Sequence, residues 1–196
     1  MPNLKSILRI VFIAGAAVLP TALNAQTDDI FAFIPDGGRS LLASVFSEGI
    51  SEKEINSILF AEKNSANWLE CLTTNEEFAG MDEFQMQTIA QYLAHNMPLK
   101  VDAVPVELEG INWGEILPRD GRDLTLEYCQ SCHIITVVIT QDRLKESWLG
   151  TMNKPSHIEI DLTPEERDAL ADYLIINAGI PIDLVPPALR AGGASY

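Results

Sequence analysis

Cysteine, histidine and positive charge are all scarce in this chain of 196 residues. It holds three cysteines and three histidines. An odd number of cysteines leaves one thiol over from any scheme of paired disulfides. There is also no second Cys-x-x-Cys pair to complete a four-ligand zinc site. Lysine and arginine total 13 against 28 acidic residues, a formal charge of −15. A surface this acidic is repelled by nucleic acid and anionic lipid and is steered toward basic protein surfaces. The same acidity also serves plain solubility, and composition does not separate the two. No convincing run of alternating residues marks a strand. Past residue 25 no segment is apolar enough for long enough to cross a membrane. Disorder is excluded as well, since 47% of the chain is hydrophobic and a packed core is within reach.

What the chain does have begins at its N-terminus. Lys5 and Arg9 precede an apolar stretch from Ile10 to Leu19, and small or polar residues follow through Thr21-Ala22-Leu23-Asn24-Ala25. This is the order of a secretory signal, with cleavage expected after Ala25 and export to the periplasm. Leu23 is bulky for such a site, which keeps an uncleaved anchor as the other reading, although the apolar run is short for a span. Cleavage takes away two basic residues and no acid, lowering the formal charge from −15 to −17.

The remainder contains itself twice. Phe33-Ile34-Pro35-Asp36-Gly37-Gly38-Arg39-Ser40-Leu41 is matched by Ile116-Leu117-Pro118-Arg119-Asp120-Gly121-Arg122-Asp123-Leu124. Asn67-Trp68-Leu69 then pairs with Ser147-Trp148-Leu149, and Ile89-Ala90-Gln91-Tyr92-Leu93 with Leu170-Ala171-Asp172-Tyr173-Leu174. Val104-Pro105 echoes Val185-Pro186. The common order points to a duplication. The boundaries that follow are a signal at 1–25, a first unit at 26–105 and a second at 106–196.

Both units read as helical. Thr163-Pro164-Glu165-Glu166 is a capping box with proline at the first helical position. Ala169, Leu170, Tyr173 and Leu174 follow on one face, and Gly179 and Pro181 stop the helix. The matching helix of the first unit starts at Asp82 and ends before Pro98. Another leads from Gly121 to the cysteines with Leu124 and Tyr128 on its buried side, and a third spans Asp142 to Met152 around Trp148. The expected fold class is all-α, as two tandem helical domains.

The chemistry lies in Cys129-Gln130-Ser131-Cys132-His133. Two thiols three positions apart on a helical turn reach the two vinyl groups of one porphyrin, and the adjacent imidazole faces the iron; this is the attachment signature of c-type haem. A zinc half-site lacks its other ligands, a redox dithiol lacks the αβ context it normally occupies, and a structural disulfide leaves His133 without a role.

On these residues the stretch 116–186 resembles the small class I cytochromes c, in particular the single-haem domains of bacterial periplasmic electron carriers and dehydrogenase cytochrome subunits. The resemblance implies a cytochrome fold, one covalent haem c and one-electron transfer. Cys129 and Cys132 would form the thioethers and His133 the proximal iron ligand. Met152, one helical turn beyond Trp148 and the sole methionine of the second unit, is the leading candidate for the distal position. His157, in the loop after Asn153-Lys154-Pro155-Ser156, is its rival, and an open site is the third reading.

The first unit has Val45-Phe46-Ser47-Glu48 where the motif stands and Leu72 where Met152 stands, so only the second is expected to bind haem. The first unit is then either a docking surface or a stabilising half. Cys71 is the thiol left over and reads as a buried, inert side chain. His95 reads as a surface or capping residue. The expected partners are a periplasmic dehydrogenase as electron donor and a downstream acceptor, with no nucleic acid and no membrane insertion after cleavage. No catalytic residue is expected of such a carrier or cytochrome subunit. The alternative is a haem enzyme or sensor that binds peroxide or a diatomic ligand at an open distal site, with His157 as the acid–base group.

Overall fold

A computed structural model describes residues 29–108 and 110–190. The signal expected at 1–25 lies outside them. Among the described residues all regular structure is helical: α1 (Gly38–Ser47), α2 (Glu52–Leu59), α3 (Ser65–Thr73), α4 (Glu83–Asn96), α5 (Trp113–Ile116), α6 (Gly121–Tyr128), α7 (Thr136–Ile139), α8 (Lys145–Met152), α9 (Pro164–Asn177) and α10 (Pro187–Arg190). The fold is all-α. No helix among these residues is long and apolar enough to cross a membrane.

Local sequence explains where the main helices start. Asp82 and Gln85 form a reciprocal capping box on α4, Asp120 and Asp123 do so on α6, and Thr163 and Glu166 on α9, where Pro164 opens the first turn. Each box satisfies backbone N–H groups that a helix start leaves without partners. Past the end of α9, Gly179 takes φ +81°, a left-handed turn that glycine adopts without strain. Helix α8 begins three residues later than the pattern predicts. Leu144 is extended, and the preceding segment is tied to the chain beyond α9, where Ile180 N–H donates to the Ile139 carbonyl at 3.0 Å.

The matched sequence segments pack in matching ways. Helices α4 and α9, each of 14 residues, lie against one another. Helix α1 packs on α4, and α6 packs on α9. Both outer contacts are made through a glycine: a Cβ on Gly38 would stand 2.2 Å from Tyr92 Cβ, and one on Gly121 would stand 2.2 Å from Tyr173 Cβ. Any larger side chain would push the helices apart.

Two hydrophobic cores result, and each borrows from the other half. Leu42, Leu59, Trp68, Phe78, Ile89 and Leu93 anchor the first, and it also takes in Trp113 and Leu117, which lie just ahead of α6. The second is built on Leu124, Ile139, Trp148, Leu170 and Leu174, and takes in Ile34, with Phe31 and Phe33 packed beside it, from just ahead of α1. Ile34 and Leu117 occupy the same place in the repeat, so the exchange is reciprocal. A fully buried side chain of this size contributes about 1.5–3 kcal/mol, which gives each half a stake in the other.

Polar contacts cross the same boundary. Arg39 on α1 donates to Asp123 on α6 at 2.7 Å and to the Gly114 carbonyl at 3.0 Å. His95 Nε2 on α4 lies 2.8 Å from Asp172 on α9. Within the second half, Lys145 Nζ supports that carboxylate, 2.8 Å from Asp172 and 2.9 Å from Asp168.

Candidate haem site

Helix α6 delivers the cysteine motif. It ends at Tyr128, and a single tight turn over Cys129–Ser131 carries the chain to Cys132 and His133. Cys129 is half-buried, while Cys132 and His133 are exposed. All three line one cleft, together with both candidates for the distal position, Met152 and His157. Helices α7 and α9 supply apolar walls through Val137, Val138, Leu170 and Leu174. The space within it is about 170 Å³, below the range of about 300–1,000 Å³ usual for ligand and cofactor sites, and its lining is predominantly apolar, as such sites are.

The three cysteines are free thiols. Burial pushes the Cys129 thiol up to about 11, so it is protonated at neutral pH. The attacking thiol of a redox Cys-x-x-Cys pair is tuned in the opposite direction.

Met152 ends α8 and is buried, 8% exposed. The His133 and His157 rings have centroids 6.2 Å apart with their planes 28° from parallel. Ser156 Oγ lies 3.0 Å from His157 Nδ1. Two arginines complete the lining. Arg143 sits over the Trp148 ring at 5.0 Å and donates to Thr151 Oγ1 at 3.3 Å. Arg167, 7% exposed, donates to the carbonyls of Met152 at 2.7 Å and Ile160 at 2.8 Å.

The residues present fit a c-type haem on chemistry: two thiols and an imidazole in the required order, apolar walls, and further metal-ligating side chains on the same cleft. The N–H of Trp148 is buried without a partner, but so is that of Trp68 in the first half. That orphan donor is therefore a property of the repeat and says nothing about a cofactor.

The first half repeats the surroundings without the motif. Lys63 lies over Trp68 at 4.7 Å and donates to Cys71 Sγ at 2.9 Å, just as Arg143 relates to Trp148 and Thr151. Cys71 thus holds the place of Thr151 and is half-buried. Leu72, 2% exposed, stands in for Met152, and Phe78, fully buried, fills the core beside it.

One other group of ligand-type side chains stands out: His95, Asp168 and Asp172, whose ligand atoms lie within 4.8 Å of one another. The Lys145 ammonium already bridges both carboxylates. Burial raises the Asp172 pKa, but hydrogen bonds from His95 and Lys145 outweigh it and hold the carboxyl below its usual range. The cluster is an ion-pair network that joins the halves.

Arg143 and Arg167 are absent from the sequence expectations. Arg167 had a signal: it stands at helical spacing with Leu170, Ala171 and Leu174, on the apolar stripe of α9. A charge on such a stripe marks a buried, paired group. Comparison with protein-family models, curated proteins and solved structures finds no match to this chain.

Proposed function

We propose that this chain is an exported electron-transfer protein that carries one haem c in its second half, joined to a first half built on the same plan without the cofactor. The observation that supports it most is the convergence of Cys129, Cys132 and His133 on one apolar cleft. Cys129 and Cys132 would hold the porphyrin by thioethers, and His133 would be the proximal iron ligand. Bound there, haem supplies a one-electron iron couple.

The chain's own residues do the rest. Val137, Val138, Leu170 and Leu174 keep water from one side of the cleft, and such a shell governs solvent access and hence potential. The acidic surface favours brief encounters with basic partners. The donor is a periplasmic dehydrogenase and the acceptor a downstream carrier, with this chain acting as shuttle or as the dehydrogenase's cytochrome subunit. The first half serves to dock a partner or to stabilise the second.

The test is expression with a haem-attachment system in an exporting host. One covalent haem per chain is expected, found in the periplasm and lost when Cys129 and Cys132 are changed to Ser. A chain exported without haem, or one that holds zinc on these thiols, would overturn the reading. Slow binding of carbon monoxide by the reduced protein is expected of a carrier; rapid binding would favour the enzyme or sensor instead. Copurification from periplasm separates shuttle from fixed subunit.

A further inference from the structure

We infer that His157, positioned by Arg167, is the second axial ligand of the proposed haem, and that Met152 is a packing residue. The inference rests on the haem reading above and goes beyond it.

The haem-free repeat is an internal control. Trp68, Cys71 and Leu72 match Trp148, Thr151 and Met152. Leu72 is 2% exposed and sits in a core that has no cysteine pair and no ligating imidazole. A buried side chain of leucine or methionine size is therefore demanded at this point by the repeat itself, and the two residues interchange at little cost. What the second half adds is a different set: Cys129, Cys132, His133, His157 and Arg167. The segment 73–82 has no histidine, and the residue of α4 that corresponds to Arg167 is Met86.

Geometry agrees with that subtraction. A centroid separation of 6.2 Å between His133 and His157 is close to what two imidazoles sharing one metal ion require, with metal–nitrogen bonds of about 2 Å each. Ser156 Oγ sits at Nδ1 of His157 and leaves Nε2 for the metal. A ligating histidine commonly has its other nitrogen held by such a partner, which fixes the ring.

Arg167 ties the loop to α9 through its main chain. Besides Met152 and Ile160, its guanidinium reaches the carbonyls of His157 and Ile158, both at 3.5 Å. Among the described residues no carboxylate pairs with it. A buried cation held only by main-chain carbonyls is costly. Here it clamps the segment that carries the imidazole, the kind of support a ligand set needs to hold its geometry. Arg167 is thus a positioning residue.

The experiment uses the full chain matured with haem. Absence of covalent haem overturns the functional reading and this inference together. With haem present, the wild type is expected to be low-spin and six-coordinate in both oxidation states. It should lack the thioether-to-iron charge-transfer band when oxidised and the strongly shifted methionine methyl resonance when reduced. These measurements need no variant, so they hold even if a substitution prevents folding. Met152→Leu is expected to leave the spectra unchanged. His157→Ala is expected to lose the low-spin spectrum and to recover it with added imidazole. Arg167→Gln is expected to give a mixture of spin states with unchanged helical content, also restored by imidazole. A methionine band in the wild type, its loss in Met152→Leu, or a five-coordinate wild type would overturn His157 as ligand. An Arg167→Gln spectrum identical to wild type would overturn the positioning role.

Discussion

The Tyr173 hydroxyl donates a 2.6 Å hydrogen bond to the carbonyl of Pro35, from one half of the molecule to the other. Tyr92, its counterpart in the repeat, returns the contact at 2.9 Å to Pro118. Burial holds both phenols well above their ordinary pKa, so they remain neutral donors. Tyr173→Phe and Tyr92→Phe each remove one bond and orphan one carbonyl, an expected cost of about 1–3 kcal/mol apiece. Urea denaturation followed by helical circular dichroism measures it. Because the halves share cores, unfolding is expected in a single transition; two resolved transitions would count against the interlock.

Gly121 sets the approach of α6 to α9. A methyl group there would meet Tyr173 Cβ at 2.2 Å and the Ala169 carbonyl at 2.9 Å, and backbone cannot yield as a flexible side chain does. Gly121→Ala is expected to destabilise by about 1–3 kcal/mol, in the manner of overpacked cores. Gly80 has open space around it, so Gly80→Ala is the control, and thermal melts of the two variants should differ clearly.

Stability should depend on pH in two opposed ways. The Asp120 carboxylate is buried at the boundary between the halves, and desolvation, reinforced by Asp123, raises its pKa to about 6. An acid whose folded pKa lies above its unfolded value penalises the fold at high pH, and the penalty is relieved as pH falls through about 6. Asp172 and Glu166 are shifted the other way, Glu166 chiefly by the Thr163 backbone N–H. Their contribution is complete above the ordinary carboxylate range and is lost as pH falls below it. Urea midpoints are therefore expected to rise from pH 7 toward 5 and to fall again below about 4, the usual carboxylate range. Asp120→Ser keeps a capping oxygen and should remove the rise alone.

The ion-pair network around Asp172 is expected to matter more than a surface salt bridge. Asp172 is 5% exposed. Asp172→Asn leaves the Lys145 ammonium and His95 with only the more open Asp168 carboxylate, and breaking a buried pair on one side costs about 3–5 kcal/mol at most. Asp168 is more open, and Asp168→Asn is expected to cost no more than about 1 kcal/mol. Equal losses in the two variants would refute the ranking.

Much of this was legible in the residues. The capping box at Thr163, the stop at Gly179 and the start of α4 after Asp82 follow from local chemistry, and all three stand where the pattern predicts. The short helix α2 carried its own signal in Ser51 and Glu54, whose backbone N–H the serine caps. Cys129, Cys132, His133, Met152 and His157 do gather on one cleft, since helical spacing and a short loop leave them little freedom. The rest was hidden for physical reasons. Apolar side chains carry no address, so nothing in Ile34 or Leu117 says that each belongs to the opposite core. Arg167 bonds to main-chain carbonyls, which every residue has, and its partners leave no mark in the sequence. His95 reads as a surface residue and is one; what the sequence does not show is its contact with Asp172, which lies far along the chain.

The exchange of Ile34 and Leu117 bears on inheritance. A deletion that removed the first copy of a duplicated gene would also take Phe31, Phe33 and Ile34 from the core behind the cysteine motif, and would strip Trp113 and Leu117 of their cover. The first half is thus part of what closes the core behind the cysteine motif, whether or not it ever meets a partner. The half without the motif persists as a tenant whose walls are shared.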